Sequence, residues 1–267
     1  MYDTILIPTD GSDVATTAGR YGLALAERFD ATVHVLSVVD PDRFATDAVG
    51  DVDDLIRRQR ERLHDRAWTV VDRIAAESPV PTETHVVEGR PSAALASAID
   101  DYGTDLVAMG THGRSGVDRY LFGSLAERTL RTAHVPVLAV RTPTDDAPVL
   151  DDVLIATDGS DGAERAGEHA VAVAAATGAH LHALAVGDDG DSARRLASRA
   201  REAGVDATVT VRTGRPHEEI LDYADEAGVD VVTLGSRGRT GVERVLLGSV
   251  AERVLRTATT PVLVVGP

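Results

Sequence analysis

A stretch of this chain occurs twice, and the repeat limits the folds open to it more than any other feature. Residues 106–140 read LVAMGTHGRSGVDRYLFGSLAERTLRTAHVPVLAV, and 125 positions later residues 231–265 read VVTLGSRGRTGVERVLLGSVAERVLRTATTPVLVV. Each copy opens on a short apolar run and passes through spaced glycines, Gly110, Gly113 and Gly116 or Gly235, Gly238 and Gly241. It then reaches Gly123-Ser124 or Gly248-Ser249 ahead of a segment with helical spacing. That order predicts a buried strand, a glycine-rich loop and a helix whose first turn carries the serine. One chain holds two copies of one device.

Anion capture is the physical use of such a device. Glycine lacks a Cβ, so a phosphate can approach the backbone N–H groups closely. A helix N-terminus adds free donors and a partial positive charge. Ser124 and Ser249 can each add a hydroxyl donor, and Arg114 and Arg239, each directly after the second glycine, a forked cation.

The rest of the chain repeats around these copies. Tyr2–Ser12 reads as an apolar strand ending in a polar turn, and DDVLIATDGS restarts the pattern, with Ala156-Thr157-Asp158-Gly159-Ser160 matching Pro8-Thr9-Asp10-Gly11-Ser12. The offset there is 148 rather than 125, so the second copy lacks 23 residues after its second strand. After that strand the first copy has the polar stretch from Pro41 to Gly50 and a long charged helix over 51–77, whose charged side reads as a solvated face, where the second copy has a single shorter helix in GDDGDSARRLASRAREAG. Each half reads β-α-β-α-β-α-β-α-β, a doubly wound α/β sheet of five parallel strands. The expected division is 1–141 and 151–267, joined by a Pro- and Asp-containing linker at 142–150. The fifth strands, PVLAV and PVLVV, are edge candidates and need a partner.

Composition removes several chemistries. A net charge of −16 argues against nucleic acid and anionic membrane faces as partners. Every basic residue is Arg, which excludes a P-loop lysine and a lysine Schiff base, and the absence of Cys excludes disulfides and thiolate catalysis. The lysine-free acidic chain suits a salt-rich cytoplasm; a GC-rich genome also accounts for the missing Lys. The first strand begins by Thr4, leaving no room for a signal peptide, and no apolar run approaches membrane-spanning length, so a soluble cytoplasmic protein is expected. His180 and His182 alternate on a strand without a third ligand and read as strand histidines. No GxSxG elbow, HExxH helix or GxGxxG after the first strand occurs.

Both halves resemble the universal stress protein family. The pattern G-x2-G-x9-G-(S/T) of its ATP-binding variant stands as Gly110, Gly113, Gly123-Ser124 and again as Gly235, Gly238, Gly248-Ser249, with strand-end aspartates Asp10 and Asp158. The resemblance implies two Rossmann-like sheets of order 3-2-1-4-5, akin to adenine nucleotide alpha hydrolases, packed as an intramolecular pseudo-dimer through the fifth strands. Such a pair could associate again as a homodimer.

It also implies site roles. Val39 and Val186 would face the adenine, flanked by Met109 and Leu234. Asp10 and Asp158, beside Thr9 and Thr157, would lie near the ribose and a magnesium ion. Gly110, Gly113 and Arg114, with Gly235, Gly238 and Arg239, would wrap the phosphates, while Gly123, Ser124 and Leu125, with Gly248, Ser249 and Val250, would close the site from the helix start. The copies differ at Pro8 against Ala156 and His112 against Arg237, so equal binding is not implied. The leading expectation is a binder of ATP, or of ADP or AMP, that changes the surface shown to a protein partner and carries no evident base to activate water. Its rivals are slow Mg-dependent ATP hydrolysis and an interaction protein without nucleotide.

Overall fold

The computed structural model describes residues 1–40, 52–112, 123–187, 190–238 and 247–266, and for 52–56 the backbone only. In chain order the first half contains β1 (Thr4–Pro8), α1 (Asp13–Phe29), β2 (Thr32–Val39), α2 (Val52–Ala76), β3 (Thr82–Glu88), α3 (Pro91–Asp101), β4 (Leu106–Gly110), α4 (Ser124–Thr132) and β5 (Val137–Val140). The second half follows with β6 (Asp152–Thr157), α5 (Asp161–Thr177), β7 (His180–Val186), α6 (Asp191–Glu202), β8 (Ala207–Arg212), α7 (Pro216–Ala227), β9 (Val231–Gly235), α8 (Ser249–Thr257) and β10 (Val262–Val265). The polar stretch 41–50 lies outside the described residues.

Local chemistry sets the ends of these elements. Ser12 and Ser160 cap α1 and α5, each hydroxyl accepting from the N–H three residues on at 3.3 Å. Both helices stop on a left-handed residue, Gly178 at φ 78° and Asp30 at φ 53°; Asp is among the few side chains that tolerate this region. Pro91 and Pro216 open α3 and α7, where a missing N–H costs nothing.

The strands run β3-β2-β1-β4-β5-β10-β9-β6-β7-β8 in a single ten-stranded sheet. Within each half all pairs are parallel, in the order 3-2-1-4-5. At the centre β10 meets β5 antiparallel, with Leu263 opposite Leu138. The expected pairing of fifth strands is therefore present, but its outcome is one continuous sheet rather than two packed ones. Each edge strand has found the other edge, which satisfies both rows of backbone groups.

The core follows the sheet faces and not the halves. One buried cluster unites Ile5, Ile7 and Val71 with Ile155, Leu181 and Leu196; the other unites Leu6, Leu95 and Met109 with Leu154, Ile220 and Leu255. The segment 142–150 is pinned as well, since the Thr144 carbonyl accepts from Thr17 Oγ1 and Arg20 Nη1, both at 3.1 Å. On α2 the inner face holds Ala67, Val70, Val71 and Ile74, as the spacing predicts. Its charged side is not wholly solvated. Arg60 and His64 reach Glu88 at the end of β3, and the Arg60 hydrogen bond, ahead of that from His64, holds the Glu88 carboxyl down to about 2.

One further contact ties the halves together. The buried Tyr2 hydroxyl is hydrogen-bonded to His169 Nδ1 on α5 at 2.7 Å, with the two rings stacked. Burial holds the His169 ring below its ordinary 6.5, so folding favours its neutral form. As pH falls through 6.5 the unfolded chain binds a proton more readily than the folded chain, and stability falls with it. The expected result is that wild type loses more of its urea stability than His169→Gln between pH 7.5 and 5.5. Equal losses would remove His169 from the account.

Candidate functional site

In both halves the carboxyl ends of the first and fourth strands come together at the point where strand order reverses. That crevice is where open α/β sheets bind ligands. At the first strand end the side chains fold back on the turn: Thr9 Oγ1 accepts from Gly11 N–H at 3.1 Å and Asp10 Oδ1 from Ser12 N–H at 3.0 Å. Thr157 and Asp158 do the same for Gly159 and Ser160, at the same distances. The aspartates are thus turn-forming groups, and a carboxylate has lone pairs for further contacts.

Opposite this turn, the glycine loop leaves and returns at one point. Thr111 N–H donates to the Val140 carbonyl at 2.8 Å, and the Thr111 carbonyl accepts from Gly123 N–H at 2.8 Å. Ser236 repeats both bonds, with Val265 at 2.8 Å and Gly248 at 2.7 Å. The strand end and the helix start are therefore stitched together at the base of the loop. Gly113, Arg114 and Arg239, with most of the loop, lie outside the described residues.

Close approach of backbone favours glycine at this base. A Cβ on Gly110 would stand 3.0 Å from Ala15 N, and one on Gly235 2.7 Å from the Gly162 carbonyl carbon. On Gly123 it would meet the Thr111 carbonyl oxygen at 2.8 Å, and on Gly248 that of Ser236 at 3.1 Å. The space beside Gly238 is bounded differently, by the Asp158 carboxylate, whose Oδ2 would be 2.7 Å from the added carbon. Asp158 and Gly238, predicted to share a site, are thereby brought together.

The caps of α4 and α8 differ from those of α1 and α5. Gly123 and Gly248 take the N-cap position with no side-chain bond, and the first helical bonds run from Glu127 N–H and Glu252 N–H. A helix start leaves its first-turn donors without intrahelical partners, here the N–H groups of Ser124 and Leu125 or Ser249 and Val250. Ser124 and Ser249 are exposed, and Leu125 and Val250 half-buried, beside the crevice. Met109 and Leu234 are buried at the ends of β4 and β9.

The proposed adenine-facing pair is not an equivalent pair. Strand register places Thr4 opposite Thr32 and Asp152 opposite His180, which makes Val186 the counterpart of Val38 and Gly187 that of Val39. The Val39 side chain packs on Ala67 of α2, whereas Val186 packs on the opposite face of the sheet. Register explains the contrast: side chains alternate along a strand, Val186 is one residue short of the Val39 position, and the residue at that position is Gly187, which has no side chain.

Sequence reasoning passed over Thr111 and Ser236, which close the loop base. Both are buried hydroxyl residues directly after Gly110 and Gly235, so the copies agree on the type where the neighbouring position, His112 or Arg237, varies. It also passed over Gly162, whose added Cβ would meet the Arg237 carbonyl oxygen at 2.8 Å. His180 and His182 are strand histidines as expected: His180 bonds Thr208, and His182 bonds Tyr223 through Nδ1 and Asp152 through Nε2.

Comparison with known proteins gives this geometry a context. The model of the Universal stress protein family matches residues 1–141, 150–199 and 190–266. A universal stress protein of Mycolicibacterium smegmatis is 29% identical over 290 aligned positions, covering 98% of this chain and 97% of that protein. One from Methanocaldococcus jannaschii is 36% identical over 143 residues, covering 54% of this chain and 84% of its own. Among solved structures, a universal stress protein from Archaeoglobus fulgidus superposes with a TM-score of 0.79 at 28% identity, over 100% of this chain and 99% of its own.

Proposed function

The chain belongs to the universal stress protein family, and from that footing we propose that it binds adenine nucleotides at two sites, one per half. A single observation carries the proposal. In each half a glycine loop is closed at its base by one backbone hydrogen bond, facing a Thr-Asp turn and opening onto a helix whose cap is glycine. Donors without partners, space without Cβ atoms and a helix N-terminus are what a phosphate chain needs.

Gly110 and Gly113, with Gly235 and Gly238, line the phosphate path; Arg114 and Arg239 supply cations. Gly123, Ser124 and Leu125, and Gly248, Ser249 and Val250, offer the helix-start donors. Thr9 and Asp10, and Thr157 and Asp158, stand on the ribose side, with Pro8 and Ala156 one residue earlier on their strands. The base rests on Met109 and Leu234 and on the strand ends at Val39 and Val186. A magnesium ion fits the carboxylates of Asp10 and Asp158, which suit a hard cation shared with phosphate oxygens. It would neutralise phosphate charge. Nucleotide occupancy then alters the surface that a protein partner meets, in a cytoplasmic stress response. Residues 1–141 and 151–267 act as the two binding units. Among the described residues no helix is long and apolar enough to cross a membrane.

The test is mild denaturation of freshly purified protein, followed by identification of the released nucleotide. About two adenine nucleotides per chain, as ATP that persists on incubation with Mg²⁺, is the expected result. ADP accumulating in proportion to protein would replace the binder by a slow hydrolase. No nucleotide, with no thermal shift on adding ATP, would overturn binding and leave an interaction protein.

A further inference from the structure

Away from the crevice, on β2 and β3, the structure gathers three side chains with metal-binding atoms. His34 Nδ1 lies 3.0 Å from His85 Nε2 and 3.7 Å from Glu83 Oε2, and His85 Nε2 lies 3.9 Å from the same oxygen. Two ligand atoms held tetrahedrally at the usual bond lengths of about 2.0–2.1 Å are roughly 3.4 Å apart. The three measured edges bracket that value. Among the described residues this is the one group of His and carboxylate side chains with atoms so placed.

We propose that His34, Glu83 and His85 bind a divalent transition metal of the zinc class. Two imidazoles and a carboxylate form a donor set suited to zinc, cobalt or nickel and unsuited to magnesium or calcium. The rings are fixed in orientation, since the Tyr102 ring stacks on His34 at 4.6 Å and on His85 at 4.5 Å between centroids. His34 is nearly buried and Glu83 exposed, with side-chain exposures of 11% and 65%. A cation can therefore enter from the solvent side and keep water in its remaining position.

The second half supplies an internal comparison. Register makes His182 the counterpart of His34, and Thr208 and Thr210 those of Glu83 and His85. There the histidine has protein partners on both ring nitrogens, Tyr223 and Asp152, at 2.8 and 2.9 Å. A histidine kept only for the core looks like His182. The first half instead places a second imidazole and a carboxylate at the positions of two threonines.

This site is separate from the nucleotide site. His34 lies five residues before Val39, about 16 Å along the strand at the usual rise. Its ligands come from the outermost strand pair of the first half, so a bound metal would clip the edge strand β3 to β2.

Cobalt(II) titration of the purified full chain, followed by visible absorption, tests the proposal. The expected result is one cobalt per chain with the strong bands of a four-coordinate ion, displaced by zinc. Zinc at a hundredfold excess over its dissociation constant should raise the melting temperature by roughly 5–10 °C. Glu83→Thr and His85→Thr copy the second half and so keep its sheet. Either should weaken binding by at least about a hundredfold, the upper end of the cost of losing even an outer partner, with released nucleotide unchanged. His182→Gln should leave the cobalt bands unaltered. No bands in wild type, or equal binding by wild type and His85→Thr, would overturn the assignment and leave the cluster as a stacked, hydrogen-bonded His pair.

Discussion

Leu263→Asp is expected to unfold both halves of the chain together. Leu263 lies opposite Leu138 where β10 meets β5, and both side chains are buried. A carboxylate placed there loses water and gains no partner, a cost on the order of 4 kcal/mol or more, enough to consume much of an ordinary domain's stability. The damage spreads because this antiparallel pair joins the two parallel sets, and each face of the sheet carries a core shared by both halves. Circular dichroism during urea unfolding should show one transition moved far toward zero denaturant, or no folded baseline. A variant that keeps a native-like transition for one half, with the other already lost, would show the halves to be independent. Leu263→Met, which conserves volume, should cost under about 1.5 kcal/mol and serves as the control.

The second large effect separates two glycines of the same loop. Gly235→Ala puts a methyl 2.7 Å from the Gly162 carbonyl carbon and 3.0 Å from Ala163 N. Backbone at a helix start cannot move aside cheaply, so a loss of about 1–3 kcal/mol in stability is expected, together with loss of nucleotide from the second site. Gly238→Ala instead presses on Asp158 Oδ2, the end of a side chain that can rotate away. Its stability should stay within about 0.5 kcal/mol of wild type. Its second site should nevertheless bind nucleotide roughly tenfold or more weakly, the worth of one or two displaced charge-assisted contacts. Urea midpoints and released nucleotide per chain read the two effects apart. Full nucleotide content in Gly238→Ala would remove Asp158 from the site.

Much of the fold was legible because its signals are local. The helix over 52–76 shows its apolar stripe in the spacing of Ala67, Val71 and Ile74, and the strand ends at Pro8 and Gly110 are marked by turn residues within a few positions. The close-packed glycines were legible to the same degree. Gly110, Gly123, Gly235 and Gly248 could be picked by comparing the copies, and each faces backbone that an added Cβ would meet at 2.7–3.1 Å. Legibility failed where a residue's meaning depends on its neighbour across a strand. Val39 and Val186 share a place at the end of the second strand, yet register sets them one residue apart and on opposite faces, since side chains alternate.

The sequence by itself determined the repeat, the alternation of strands and helices, the glycine positions and the family. These rest on spacing along the chain, and the side-chain periods of helix and strand are properties of a few consecutive residues. Only the tertiary structure decided that the two sets of five strands form one sheet, that both cores are shared, and that His34 meets Glu83 and His85. Those pairings join residues 49 or more positions apart, and the ring of His34 knows its neighbours only after β2 and β3 have settled in register. Register is chosen by burial summed over the whole sheet face, a sum that no local window contains.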